Sequence, residues 1–262
     1  MKYGFIGCGN MGGAIARALS KATKDFAVSD RSGKGKALAE ELGCVYSTPQ
    51  KIIGACKYVF LAVKPQLMQS VLEPLQPLLL KHRPILITMA AGLDMATIAS
   101  YAGTPLPIIR IMPNTPVAVG CGVTVYCANE LVDETVLNEF VVDMGGSGKM
   151  DLLDEHLMDA ATALSGSSPA FMYIFLEALA DGAVACGIPR SKALAYAALT
   201  MKGAAEMVLQ SNQHPGELKD AVCSPAGSTI VGINVLEQRG FRGVVMDCIQ
   251  ASYQKNISIK DK

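Results

Sequence analysis

Three glycines spaced as Gly7-x-Gly9-x-x-Gly12 stand directly behind a short apolar run, Tyr3–Ile6, and an apolar helical stretch, 14–19, follows them. A strand, a glycine turn and a helix in that order make a cradle for a pyrophosphate. One glycine forms the tight turn, one lets the backbone approach the phosphates, and one lets helix and strand close together. The helix N-terminus then offers unpaired N–H groups and a partial positive charge to the anion. Ile6, Gly7, Cys8, Gly9, Asn10, Met11 and Gly12 are therefore the first candidate binding residues, for a dinucleotide. A second anion seat lies far downstream. Ser224-Pro225-Ala226-Gly227 has the composition of a turn, and Ser228-Thr229 opens a helical pattern. Unpaired N–H groups at such a helix start suit a carboxylate. The competing reading is ordinary capping by Ser228.

Residues beyond other apolar runs point to the same dinucleotide crevice. Asp30 follows a second strand pattern and could accept hydrogen bonds from an adenine ribose, the usual NAD arrangement. Arg31 and Ser32 come next, with Lys34 and Lys36 nearby, and these suit a 2′-phosphate. NADPH is thus the expected cofactor, with NADH as the alternative; the basic residues could equally be a solvated helix start. Ligands in open parallel sheets lie beyond the carboxyl ends of the strands. Ala62-Val63-Lys64-Pro65, Ala90-Ala91-Gly92 and Met112-Pro113-Asn114-Thr115-Pro116 all occupy that place. Each alone reads as a turn; together they line a crevice, with Asn114 the polar member of the last.

These positions need a scaffold. Apolar runs at 3–6, 26–28, 58–63, 85–89 and 108–112 are strand-length and mostly continuous, as strands covered on both faces are. Val45–Tyr46 is a weaker strand, and 122–128 and 146–150 extend the sheet. The expectation is an α/β fold: a Rossmann-type, doubly wound, mostly parallel sheet over 1–152, then an all-helical domain over 153–262. In the second part Ser168-Pro169 has the look of a helix start and Gly187 of a C-terminal cap. The stretch 170–186 is apolar on most faces, so a partner subunit is expected to cover it. Further helices are expected at 191–210, 228–238 and 241–254, and His214 before Pro215 reads as a helix start.

By these segments the chain resembles the pyrroline-5-carboxylate reductases. The resemblance runs through Gly-Phe-Ile-Gly-Cys-Gly-Asn-Met-Gly (4–12), Leu-Ala-Val-Lys-Pro-Gln (61–66), Arg-Ile-Met-Pro-Asn-Thr-Pro (110–116), Thr-Ala-Leu-Ser-Gly-Ser-Ser-Pro-Ala-Phe (162–171), Glu-Ala-Leu-Ala-Asp-Gly (177–182), His-Pro-Gly-Glu-Leu-Lys-Asp (214–220) and, most diagnostic, Ser-Pro-Ala-Gly-Ser-Thr-Ile (224–230). It implies reduction of 1-pyrroline-5-carboxylate to proline, usually with NADPH. It also implies a homodimer, with larger assembly left open, in which one subunit's helical domain completes the partner's site. Carried over to this chain, the substrate residues are Glu155, Ser224, Gly227, Ser228 and Thr229, and Thr229 is the catalytic expectation, its hydroxyl near the ring nitrogen. Glu155 pairs with that nitrogen or is a solvated helix-start carboxylate. Two departures stand out: Ser168 and Ala226 each replace a glycine of the family pattern.

Composition narrows the alternatives. Lys and Arg total 23 and Asp and Glu 23, so no charge excess calls for nucleic acid. Half the residues are hydrophobic and 18% charged, which argues against disorder. Eight scattered cysteines without Cys-x-x-Cys spacing read as reduced thiols, and no signal-peptide pattern opens the chain, so a cytoplasmic protein is expected. The uncharged stretches 111–129 and 160–176 carry prolines and polar residues, and no membrane partner is expected. His82, His156 and His214 lie at no ligand spacing, so no metal is expected. A β-hydroxyacid dehydrogenase would carry a lysine four residues before an asparagine in the second domain, which is missing here. A non-catalytic NADP sensor on the same fold is the other alternative.

Overall fold

The computed structural model describes residues 1–260. Its sheet has eight strands: β1 Tyr3–Ile6, β2 Phe26–Ser29, β3 Val45–Tyr46, β4 Tyr58–Leu61, β5 Ile85–Thr88, β6 Ile108–Pro113, β7 Gly122–Ala128 and β8 Gly148–Leu152. Their order is β3-β2-β1-β4-β5-β6-β7-β8. All neighbours pair in parallel except β6 with β7. The mostly parallel, doubly wound sheet is as expected, and β1, β2, β4 and β5 are buried along their whole length. The last strand lies two residues later than the apolar pattern placed it.

Each face of the sheet has its own core. On one face Tyr3 lies opposite Tyr58 and Phe5 opposite Phe60, and the rings stack at 4.9 and 4.3 Å. The helix Asn10–Leu19 sets Ile15, Ala16 and Leu19 against them. On the other face Ile6, Val59 and Leu61 meet Ile52, Leu72, Leu79 and Ile98. Alternation of side chains along each strand divides the two sets. Between β2 and β4 the chain order reverses around β1, and the crevice opens there, at the carboxyl ends of the strands.

At the opposite strand ends a charged cluster ties the sheet to the helix Glu134–Met144. Lys2 and Lys57 reach Glu139 at 2.7 and 2.6 Å, and the Tyr58 hydroxyl donates to it at 2.8 Å. The Lys2 hydrogen bond, then those from Lys57 and Tyr58, hold the Glu139 carboxyl down to about 2 from 4.5. A depressed folded-state pKa contributes stability above the unfolded value and loses it as pH falls through the folded one. The urea midpoints of wild type and Glu139→Gln should therefore differ by a constant amount near neutrality and converge from pH 4.5 towards about 2. A gap that stays constant down that range would show that the cluster contributes nothing.

By packing, one unit comprises Met1–Ser167 and the chain from Ser252, and the other comprises Ser168–Ala251. This division falls later than the change of sequence pattern near Asp151. The second unit is helical, with Ser168–Ala185, Arg190–Ser211, Pro215–Ala221 and Ser228–Gln238. Phe241–Lys260 runs longer than the pattern indicated. Ser168 is not a capping serine. It follows directly on a π-helical turn, Thr162–Ser167, so no chain end needs a cap there. His214 does cap its helix: Nδ1 accepts the Gly216 N–H and Glu217 reaches back to the His214 N–H. Gly187, at φ +95°, ends the preceding helix as expected.

The buried hydrophobic residues of this second unit are Ala180, Ala193 and Ala197. Tyr173, Ile174, Leu199, Val231 and Met246 are exposed. Three alanines do not make a core, so this apolar surface needs a further cover. The continuous helical run Glu155–Ala185 is long and apolar enough to cross a membrane by length and composition alone.

Candidate active site

The crevice of the first unit is a cleft of about 790 Å³. Ile6, Gly7, Cys8, Gly9, Asp30, Arg31, Ser32, Ala62, Val63 and Lys64 line it, all of them expected from the sequence. The three glycines divide the work as their spacing implies. Gly7 has φ +106°, and a Cβ there would overlap the Ala62 carbonyl, with the carbonyl carbon at 2.7 Å. A Cβ on Gly12 would stand 2.7 Å from the Gly7 oxygen and 2.8 Å from the Ala62 Cβ, so its absence lets the helix meet the strand. Gly9 is different: a Cβ there would meet nothing within 4 Å. Its hydrogen instead leaves space in front of the helix N-terminus, where phosphates would come.

Gly9 is the N-cap of the helix Asn10–Leu19 and makes no side-chain cap bond, and the first turn carries no acidic residue. The first N–H groups are thus left for a ligand. Asn10 is exposed and Met11 half-buried at this helix start. The Asp30 carboxylate closes the β2 side, accepting the Cys8 N–H at 3.2 Å and the Ser32 N–H and hydroxyl. Partial burial pushes its pKa up, but the bonds from Ser32, Cys8 and Gly35 outweigh this and hold it low. Cys8 itself is buried; desolvation, with Asp30 nearby, raises its thiol to about 12.

Other expected residues fall elsewhere. Pro65, Ala90, Ala91, Gly92 and Asn114 do not line this cleft. Pro65 starts a short 3-10 turn after Lys64, and Ala90–Gly92 follow β5. The Asn114 amide is committed: Oδ1 accepts the Val123 N–H at 2.9 Å and Nδ2 donates to the Ser165 carbonyl at 3.1 Å. Glu155 Oε1 accepts the Met95 N–H at 2.8 Å and faces Arg110 Nη1 at 3.3 Å. Tyr46, Thr48 and Lys51 line the cleft without having been singled out. Their signal was present: Tyr46 ends β3, the weakest strand, and Thr48 and Lys51 follow at its carboxyl end.

The segment expected to seat a second anion belongs to the other unit. Ser224–Gly227 forms a turn closed by the Gly227 N–H to the Ser224 carbonyl at 3.0 Å, and the helix Ser228–Gln238 starts behind it. Gly227 is the N-cap, no side chain caps the helix, and the first turn is free of acid. Ser228 therefore does not act as the ordinary cap. Ser224, Ser228 and Thr229 are exposed and Gly227 half-buried.

Ala226 stands at φ +58°, the left-handed region. For a residue with a Cβ that conformation costs about 1–2 kcal/mol. Ala226→Gly should therefore raise stability by about 1 kcal/mol, read as a higher thermal midpoint. A lower midpoint would show that the turn is held without strain.

Two family models match. "Pyrroline-5-carboxylate reductase dimerisation" covers residues 155–259, and "NADP oxidoreductase coenzyme F420-dependent" covers residues 2–92. The pyrroline-5-carboxylate reductase of Pisum sativum is 39% identical over 97% of this chain and 94% of its own. That of Escherichia coli (strain K12) is 36% identical over 97% of both. The chain belongs to the pyrroline-5-carboxylate reductase family. A solved Plasmodium falciparum pyrroline carboxylate reductase with NADP bound superposes with a TM-score of 0.90 at 32% identity, covering 99% of this chain and 98% of that one. A Streptococcus pyogenes 1-pyrroline-5-carboxylate reductase does so with a TM-score of 0.90 at 35% identity over 98% of each chain. Against the family pattern, Ala226 keeps a glycine conformation without a glycine.

Proposed function

We propose that this chain reduces 1-pyrroline-5-carboxylate to L-proline, with NADPH preferred to NADH. The observation that carries the reading is the open position at Gly9, in front of an uncapped helix start inside a cleft of about 790 Å³. That arrangement fits a pyrophosphate, and family membership supplies the substrate. Bound NADPH supplies a hydride for the imine carbon. The protein's own part is positional. The N–H groups from Gly7 to Gly12 hold the pyrophosphate. Arg31, Ser32 and Lys51 lie on one wall of the cleft and suit a 2′-phosphate, which supports NADPH. The pinned Asp30 carboxylate orders the loop that carries Arg31 and Ser32.

The substrate carboxylate is assigned to the helix start at Gly227, Ser228 and Thr229, with Ser224 beside it. The helix dipole contributes about 0.3–2 kcal/mol there, and the N–H hydrogen bonds supply the rest. The Thr229 hydroxyl is assigned to the ring nitrogen. The domain assignment, dinucleotide binding over 1–152 and dimerisation with substrate binding over 153–262, belongs to the same proposal. A homodimer is part of it, because the exposed apolar helices of the second unit need the cover that a second copy gives. One chain's residues near Ser228 then complete the cofactor cleft of the other, in a cytoplasmic enzyme.

The direct test is NADPH consumption with pyrroline-5-carboxylate beside a 3-hydroxyacid control, followed by kcat/KM for NADPH and NADH. Turnover with the imine alone and a higher kcat/KM for NADPH are expected. Cofactor binding without oxidation by the imine would mark a sensor, and turnover of the hydroxyacid a different dehydrogenase.

A further inference from the structure

Tyr46 ends β3, is exposed, and lines the cleft beside Asp30, Arg31 and Ser32. Its backbone is fixed: it pairs with Val28, and the Ser47 N–H donates to the Val28 carbonyl at 2.9 Å. The ladder stops there, while β2 runs on to Ser29 and the chain to Asp30. Beyond that stop the Tyr46 hydroxyl donates to the Asp30 carbonyl at 3.0 Å. A side chain thus satisfies a backbone oxygen that lies past the end of the two-residue strand.

That oxygen belongs to the peptide that leads into Arg31. Holding it fixes the peptide plane, and with it the course of the chain through Arg31 and Ser32. The loop is irregular and ends on Gly33 at φ +82°, and the helix Lys34–Leu42 behind it starts without a side-chain cap. The Asp30 carboxylate anchors it from one side, to Cys8 and Ser32. Tyr46 anchors its main chain from the other. Gly35 makes room for both: a Cβ there would stand 2.8 Å from Asp30 Cβ and 3.1 Å from Tyr46 Cε2.

What the loop brings to the cleft is charge. Arg31, Lys51 and Lys64 line it, and their side chains make no hydrogen bond or ion pair among the described residues. Both oxygens of the Asp30 carboxylate already accept from protein donors. A ribose hydroxyl therefore meets an engaged acceptor, whereas a phosphate on that ribose meets cations that lack a partner.

We infer that Tyr46 is a positioning residue for the choice of cofactor: by holding the Asp30 carbonyl, its hydroxyl sets Arg31 and Ser32 to receive a 2′-phosphate. The inference rests on the NADPH reading of the cleft and adds to it a residue from outside the loop.

The test is Tyr46→Phe in the full chain, which keeps the ring and removes the hydroxyl, beside Arg31→Ala and the double variant. Thermal unfolding checks each; both side chains are exposed, so the fold should hold. The probes are NADPH and NADH, which differ only in the 2′-phosphate, with affinity read by nicotinamide fluorescence and kcat/KM measured for both. Tyr46→Phe is expected to weaken NADPH about threefold to tenfold, the worth of one hydrogen bond, and NADH about twofold at most. The ratio of the two kcat/KM values should fall accordingly. The double variant should bind NADPH no more weakly than Arg31→Ala alone, because Tyr46 acts through the loop. Amide hydrogen exchange over residues 31–33 of the ligand-free protein should quicken in Tyr46→Phe. Equal losses for the two cofactors would overturn the inference, as would unchanged NADPH binding or unchanged exchange. Losses that add in the double variant would make Tyr46 a phosphate contact in its own right and overturn it too. A wild type that binds NADH as tightly as NADPH would instead remove the cofactor preference beneath it.

Discussion

Gly9→Ala should yield a protein that folds like the wild type and binds NADPH about tenfold to a hundredfold more weakly, a loss of about 1–3 kcal/mol from overpacking the phosphate seat. Gly7→Ala should instead lose the fold. The two glycines sit two residues apart and differ in what a methyl group would meet. At Gly9 the backbone is in the β region, φ −66° and ψ −171°, which alanine adopts freely, and no protein atom lies within 4 Å of the added carbon. Only a ligand would feel it. At Gly7 the same carbon overlaps the Ala62 carbonyl at φ +106°, so β1 and β4 would have to separate, at about 3 kcal/mol or more. Isothermal titration with NADPH and a thermal melt on each variant decide the matter. A Gly9→Ala protein that binds NADPH normally would show that the open space is not the phosphate seat.

Thr229→Ala should lower kcat by about 10²–10⁴ if its hydroxyl exchanges a proton with the ring nitrogen. The variant is clean because the side chain is exposed and its hydroxyl makes no hydrogen bond among the described residues. Nothing in the folded chain loses a partner when the oxygen goes. Thr229→Ser keeps the oxygen and should recover most of the rate. The pH profile of kcat separates the two roles: a proton-exchanging hydroxyl changes its shape, and a holding contact only its height. A loss of a few fold with an unaltered profile would leave Thr229 as a contact that orients the ring.

Much of this was legible in the sequence because the determinants are local. The glycine trio, the continuously apolar strands and the His214 cap each depend on residues within a few positions of one another. The misreadings have the opposite origin. Ser168-Pro169 has the local chemistry of a helix start, but a π-helical turn carries the chain through it. The Asn114 amide, expected at the crevice, bridges Val123 and Ser165, partners 9 and 51 positions away that no local pattern reveals. Lys51 and Tyr46 enter the cleft only because β3 pairs with β2 through two residues, a pairing too short to stand out. Arg110 and Glu155 meet across 45 positions, and no spacing rule reaches that far.

The Cys8 thiol has a chemical consequence of its own. It sits inside the Gly7–Gly12 turn, with Sγ 3.6 Å from the Ser29 carbonyl. Held at about 12, it stays protonated throughout the physiological range, so it is a poor nucleophile towards peroxide or alkylating electrophiles. Cys121 and Cys186, which lie at the surface, would be spent first. The glycine turn between β1 and the helix Asn10–Leu19 is therefore built around a buried thiol that is kept in its less reactive, protonated form.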